Sequence, residues 1–214
     1  MRGFFLTLEG IDGSGKSSLA GALAEWLEGQ GYQVVRTKEP GGTPLGRRIR
    51  DLLLDNGRSL AAATELYLYL ADRAEHVEEI LIPALEAGKV VISERYTDST
   101  VAYQGYGRGV DLALLAGMNE FATQGLVPDL TLLLEVPLEV GRERRRALTP
   151  DRVEAEPPDF HARVLRGYAA IASQEPERVK RIDASRDPGA VLEEAKPILA
   201  AALAGRGFGV RTRR

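Results

Sequence analysis

Eight residues near the amino terminus, Gly10-Ile11-Asp12-Gly13-Ser14-Gly15-Lys16-Ser17, satisfy G-x-x-x-x-G-K-[ST] in full, and they stand between the apolar run Phe4-Phe5-Leu6-Thr7-Leu8 and a helical pattern. That order restricts the fold sharply. A buried strand must deliver the chain to a tight turn, and the turn must open a helix whose first amide groups point outwards. Glycines let successive N–H groups aim at phosphate oxygens, Lys16 adds a compact positive charge, and the Ser17 hydroxyl is placed to ligate Mg²⁺. The whole loop from Gly10 to Ser17 is the candidate cradle for a nucleoside triphosphate.

The rest of the chain continues the same alternation. Leu19, Ala22, Leu23, Trp26 and Leu27 form the apolar stripe of a helix that closes near Gly29 or Gly31, and Val34-Val35 begins a second strand. Short apolar runs recur at Val90-Val91-Ile92, at Leu130-Thr131-Leu132-Leu133-Leu134 and, more weakly, from Val179 to Ile182. Helical patterns separate them: Leu66 to Leu81, ending before Gly88, then 111–124, 137–148, 159–174 and 189–204. Continuous apolar strands with helical crossovers predict a three-layer α/β fold, a five-stranded parallel sheet flanked by helices. A length of 214 residues with 44% hydrophobic content suits one domain, taken as 1–204. The segment from Gly205 to Arg214, with four arginines and no acid, is expected to be a basic disordered tail.

Charge narrows the partners. With 28 basic and 31 acidic residues the net charge is −3, so no overall field points to nucleic acid or an anionic membrane, and anion binding must be local. There is no cysteine, no signal-like beginning and no long apolar span, which reads as a soluble, cytoplasmic protein.

In open parallel sheets ligands collect beyond the carboxyl ends of the strands, and the chemistry-bearing residues cluster there. Lys38-Glu39-Pro40-Gly41-Gly42-Thr43 follows the second strand, with Arg47, Arg48 and Arg50 on the next helix. Tyr69, Arg73 and His76 share one helical face, where an aromatic ring and a guanidinium can bracket a planar base, while His76 fits a capping or packing role. Glu94-Arg95-Tyr96-Thr97-Asp98-Ser99 follows the inner strand beside the phosphate loop. Arg95 can hold a phosphate bidentately there, and Glu94 or Asp12 can contact Mg²⁺ or polarise an acceptor hydroxyl. Tyr103 and Gln104 reach the same mouth. From Arg142 to Arg152 five arginines stand against Glu143 and Asp151, and the break at Pro157-Pro158 suggests a flap, about 142–157, able to close over phosphates.

Taken together, these motifs resemble the thymidylate kinase family from about residue 3 to about residue 200. The match lies in the loop with Asp12, Glu39-Pro40-Gly41-Gly42-Thr43, Asp72-Arg73, Arg95-Tyr96, Ser99-Thr100-Val101-Ala102-Tyr103-Gln104 and the arginine-bearing lid. The resemblance implies ATP and Mg²⁺ as cofactors, dTMP as acceptor on the route to dTTP, and a homodimer formed through helices. It further implies that Tyr69 stacks on thymine, Arg73 and Gln104 bind the base, Glu39, Arg50 and Ser99 line the acceptor pocket, and Arg95 holds the acceptor phosphate. Asp12 would contact the sugar 3′-hydroxyl, Tyr103 would exclude a 2′-hydroxyl, and Arg142 would lie near the donor adenine. Ser17 and Glu94 would serve the metal. One branch of the family carries a catalytic arginine in the phosphate loop; this loop has none, so the lid must supply it, Arg152 being first choice and Arg146 second. Two departures stand out. Lys38 replaces the usual arginine and cannot form a planar fork, and Glu94 replaces the usual aspartate, moving the charge by one methylene.

Lys16, Arg95, Asp12 and Arg152 are thus the expected catalytic set for phosphoryl transfer to an acceptor that is already a dianion, a reaction that asks for positioning and charge neutralisation. The competing expectations are a kinase of the same architecture acting on UMP or GMP, and a non-catalytic nucleotide switch. The lack of an Asn-Lys-x-Asp guanine reader speaks against a GTPase switch.

Overall fold

The order of elements in the chain follows the alternation of apolar runs and helical stripes. The structure, a computed structural model, describes residues 2–57, 59–147 and 149–208. Strands β1 (Phe4–Glu9), β2 (Val34–Lys38), β3 (Val90–Glu94), β4 (Leu130–Glu135) and β5 (Val179–Asp183) form one sheet in the order β2-β3-β1-β4-β5. Every neighbouring pair is parallel. All six residues of β1 are buried, because it lies in the middle of the sheet under helices on both faces, whereas the edge strands β2 and β5 are only partly covered.

Alternate residues of β1 serve the two faces. Phe4, Leu6 and Leu8 pack with α1 (Lys16–Gly29), while Phe5 joins Val77, Leu81, Leu85 and Val91 on the other side. Further along come α2 (Pro44–Leu54), α3 (Ala62–His76), α4 (Ile82–Glu86), α5 (Thr97–Thr100), α6 (Leu112–Thr123), α7 (Leu138–Arg144), α8 (Pro158–Gln174) and α9 (Pro188–Gly205). Thr43 caps α2 by accepting from the Gly46 amide at 2.9 Å, and Asp187 caps α9 by accepting from Gly189 at 2.8 Å; each is followed by a proline whose missing N–H costs nothing there.

Three sequence expectations need correction. The helix read as Leu66 to Leu81 begins at Ala62, and after His76 it widens into a π-helical turn over Val77–Leu81 before α4. Pro83 accounts for this: it donates no bond to the preceding turn and its ring crowds that turn, and a wide turn accommodates both. A second π-helical segment, Val101–Gly107, carries Tyr103 and Gln104. The helix expected over 137–148 stops at Arg144, so the lid leaves the helix early. Finally, the basic tail is placed as far as Phe208. Tyr32 donates to the Phe208 carbonyl at 3.1 Å, the Phe208 ring meets Phe4 edge-on, and Arg206 pairs with Asp129 at 2.7 Å. The remaining tail residues, 209–214, lie outside the described residues.

Candidate active site

At the carboxyl end of β1 the loop turns back on itself, and Gly13 takes a left-handed backbone with φ of 79°. A Cβ there would stand 2.2 Å from the carbonyl oxygen of Gly141, so only glycine lets α7 lie against the loop. This close approach brings the end of α7 to the phosphate recess, a space of about 370 Å³ lined by Gly13, Gly15, Lys16, Ser17, Arg95 and Arg145 among others. The Lys16 ammonium donates to the carbonyls of Gly10 (3.0 Å) and Ile11 (2.8 Å). Burial, reinforced by the Arg95 charge, draws its pKa down to about 7. Ser17 Oγ donates to Glu94 Oε2 at 2.5 Å. One hydroxyl and one carboxylate form a hard oxygen pair, and among the described residues there is no cluster of three acidic or histidine ligands. Such a donor set fits Mg²⁺, which keeps several waters and takes its other ligands from phosphates.

A second cavity opens on the far side of Arg95, lined by Tyr69, Arg73, Ser99, Thr100, Tyr103, Gln104 and Val153 among others. Asp12, Glu39, Arg50 and Arg95 line both cavities, so the two spaces meet at that wall. Arg95 has a left-handed backbone, φ 73°, unusual for a side chain with a Cβ, and its guanidinium donates to Asp12 Oδ1 at 2.7 Å and to the Gly10 carbonyl at 3.1 Å. Burial works against ionisation of Asp12, but the Arg95 and Lys16 charges outweigh it and hold the carboxyl well below the ordinary range. The Tyr103 hydroxyl lies 3.4 Å from Asp12 Oδ2, and the Arg95 guanidinium stands over the Tyr103 ring at 5.1 Å. Arg50 donates to the Pro40 carbonyl at 3.0 Å, and half-buried Tyr69 faces the same cavity.

Arg73 reaches the cavity on different terms from those its helical face suggested. All its N–H groups hold protein acceptors: Glu39 at 2.8 Å, Thr100 at 2.7 Å, Asn119 at 2.6 Å and the Tyr96 carbonyl at 2.9 Å. It walls the site and has no spare donor for a base edge. His76 is fully buried; its ring bonds Glu39 at 2.8 Å and Thr37 at 2.6 Å, a packing and anchoring role of the kind expected.

Beneath Arg95 lies Glu9, a residue that sequence reasoning passed over although an acid ending an apolar strand is itself a signal. Its carboxylate accepts from Tyr96 N at 2.7 Å, Ser99 Oγ at 2.6 Å and Tyr168 at 3.0 Å, and Ser99 and Tyr168 in turn accept from Arg95. Burial, with help from the nearby Asp98 charge, pushes Glu9 up to about 7. The folded state therefore holds its proton more tightly than the unfolded chain does, so stability declines as pH rises from about 4.5 through about 7. Glu9→Gln is expected to stabilise the protein at pH 8 by on the order of 2 kcal/mol and to leave it nearly unchanged at about pH 4, below the unfolded value, since the Ser99 and Tyr168 hydroxyls can turn to accept from an amide. Urea unfolding at the two pH values measures this; an equal effect at both would contradict it.

The lid arginines are not disposed as the sequence suggested. Arg152, first choice for the transferring phosphate, is held on the acceptor side, donating to the Leu53 carbonyl at 2.9 Å and to Glu65 at 2.7 Å, and it does not line the phosphate recess. Arg146, the second choice, is 80% exposed on its side chain and pairs with Glu143. Arg144 and Arg145 are the lid arginines that line the recess, the Arg145 guanidinium paired with Glu154. Arg142, expected near a donor base, is exposed and lines a further recess with Leu138, Pro150 and His161, which shares Asp12 and Arg145 with the phosphate recess. Arg144 is held between the phosphate loop and the loop after β5, donating to Gly13 O at 3.4 Å, Ala184 O at 2.9 Å and Ser185 O at 3.3 Å beside a notch formed by Ser18, Leu19, Arg186 and Pro188. Because α7 ends at Arg144, helical periodicity stops being a guide within the arginine run itself.

Against this geometry stand the comparisons with known proteins. Residues 8–195 match the family described as thymidylate kinase. The chain is similar to a thymidylate kinase of Desulfovibrio desulfuricans, 49% identical over 215 residues that cover 96% of this chain and 99% of that protein. It is also similar to one of Gloeobacter violaceus, 48% identical over 195 residues, 90% and 92% of the two chains. Among solved structures, a thymidylate kinase from Ehrlichia chaffeensis superposes with a TM-score of 0.78 at 35% identity, covering 94% of this chain and all of the other. With the loop, the shared wall and the acceptor cavity arranged as described, the chain belongs to the thymidylate kinase family.

Proposed function

We propose that this protein transfers the γ-phosphoryl group of ATP to dTMP, giving dTDP and ADP. The observation that carries the reading is the wall of Asp12, Glu39, Arg50 and Arg95 common to the phosphate recess and the second cavity, because direct transfer between two anions requires them to meet. Lys16 and the loop amides bind the β- and γ-phosphates of the donor. Arg95, fixed by Asp12 and by the Ser99–Tyr168–Glu9 seat, aligns the acceptor phosphate. Asp12 keeps its charge at neutral pH and meets the sugar hydroxyl, Tyr103 narrows the space beside it, Tyr69 stacks on the base and Gln104 reads its edge. Arg145 takes the role first expected of Arg152, neutralising charge on the group in transit. Ser17 and Glu94 would hold Mg²⁺, which when bound supplies charge neutralisation across the β- and γ-phosphates. The notch beside Arg144, Ala184 and Pro188 is the seat for the donor base.

The deciding experiment is ADP release with dTMP, dUMP, UMP, dCMP and GMP as acceptors. Preference for dTMP is the expected result; turnover of UMP as fast as dTMP would overturn the base and sugar assignments, and ATP turnover indifferent to every monophosphate would return the chain to a nucleotide switch.

The protein acts as a homodimer in this reading. On α6 Leu112 is 45% exposed, Leu114 56% and Phe121 89%, and Tyr67 on the adjoining α3 is 62% exposed, an apolar surface that invites a second copy. Gly117, with open space at its Cβ position, lies between Leu114 and Phe121 and permits close helix contact. Phe121→Glu is expected to halve the mass seen by light scattering; a wild-type protein that is already a monomer would refute the pairing. Among the described residues no helix is long and apolar enough to cross a membrane, and the proposed reaction belongs in the cytoplasm with its nucleotides.

A further inference from the structure

Glu65 lies at the first turn of α3, four residues before Tyr69, and the substrate contacts assigned above do not include it. Its carboxylate is 1% exposed, yet it receives four N–H bonds from three residues in two distant parts of the chain. Gln104 Nε2 donates at 2.8 Å, Arg108 Nε and NH2 at 3.1 and 2.9 Å, and Arg152 NH1 at 2.7 Å. Arg108 also holds Glu156 at 2.5 Å, so two residues of the lid segment, Arg152 and Glu156, are tied to this one acid directly or through a single arginine. We propose that Glu65 is a positioning residue that couples the seating of the lid to the reading of the acceptor base, by fixing the Gln104 amide with one oxygen and the Arg152 guanidinium with the other.

The physical step is the amide's orientation. An ionised carboxylate can only accept, so it admits Gln104 in one sense, with Nε2 towards Glu65 and the carbonyl oxygen free for the cavity that Gln104 lines. A carbonyl there pairs with a base that offers a ring N–H, as thymine does at N3, and repels cytosine, whose N3 is a lone pair. Two arginines keep Glu65 ionised: burial opposes the charge, but bonds from Arg108, Gln104 and Arg152 outweigh it and hold the pKa below the ordinary value. Without the lid arginine Oε2 keeps only the Arg108 NH2, and the seat of the Gln104 amide is held by the Arg108 fork alone, a looser anchor. Arg73 supplies no alternative reader, since its donors are all engaged within the protein.

This inference rests on the reading of the chain as a dTMP kinase, and the test separates the two. Steady-state kcat and KM are measured with dTMP and with dCMP for the wild type, Glu65→Gln, Arg152→Ala, Gln104→Ala and the double variants Glu65→Gln/Gln104→Ala and Glu65→Gln/Arg152→Ala, alongside melting temperatures. A side chain at 65 that can also donate lets the Gln104 amide reverse, so the dTMP/dCMP ratio of kcat/KM falls about tenfold or more in Glu65→Gln, mainly through KM for dTMP. Arg152→Ala lowers the ratio too, and neither change lowers it further once its partner, Gln104 or Glu65, is already replaced. An unchanged ratio in Glu65→Gln with a lowered melting temperature assigns Glu65 a purely structural role and overturns the inference. Should Glu65→Gln fail to fold, Glu65→Asp keeps the charge but cannot reach both partners, and the same ratio decides. A wild type that does not phosphorylate dTMP overturns the functional reading itself.

Discussion

Lys16→Ala is expected to lower kcat by about 10³-fold to 10⁵-fold, the scale associated with charges that act on the transferring phosphoryl group. The loop amides survive the substitution, so ATP still binds and the loss falls on the chemical step more than on KM. Lys16 is 8% exposed and makes three bonds within the loop, to Gly10, Ile11 and Ser14, so some stability is lost as well. Single-turnover ADP formation at saturating ATP, with a melting curve to show that the variant is folded, measures the effect. A folded Lys16→Ala enzyme within tenfold of wild type would remove Lys16 from the catalytic set.

Arg145→Ala should cost about 10³-fold in kcat, whereas Arg152→Ala should act mainly on KM for the acceptor. The difference follows from where their guanidinium groups are held. Arg145 lines the phosphate recess with Lys16 and Arg95. Arg152 is anchored to Glu65 and Leu53, outside the phosphate recess and next to Asp151 and Val153, which line the other cavity. The kcat and KM of the two variants, determined side by side for dTMP, distinguish the assignments. A catalytic collapse confined to Arg152→Ala would restore the arrangement first expected from the sequence.

The phosphate loop was legible because its chemistry is local. Glycine conformations, the lysine and the hydroxyl all lie within eight residues, and backbone geometry alone brings them onto one ligand. The sheet was legible for a similar reason, since apolar runs such as Phe4–Leu8 and Leu130–Leu134 have no other stable home than a sheet covered on both faces. Even the meeting of Ser17 with Glu94, 77 residues apart, follows from β1 and β3 being parallel neighbours whose carboxyl ends open on one crevice.

Local pattern ceased to inform where side chains compete for partners across the fold. Arg73 shares the helical face expected of it, yet Glu39, Thr100, Asn119 and the Tyr96 carbonyl, brought in from three other segments, consume its donors. Arg145 and Arg152 are alike in sequence, and what separates them is the end of α7 at Arg144 and the presence of Glu65 on another helix. Composition and spacing thus determined the scaffold and the phosphate cradle, because those depend on burial and backbone geometry that a short segment carries with it. Which partners each arginine takes was decided by tertiary structure alone, because a buried charge takes its role from the groups that surround it in space.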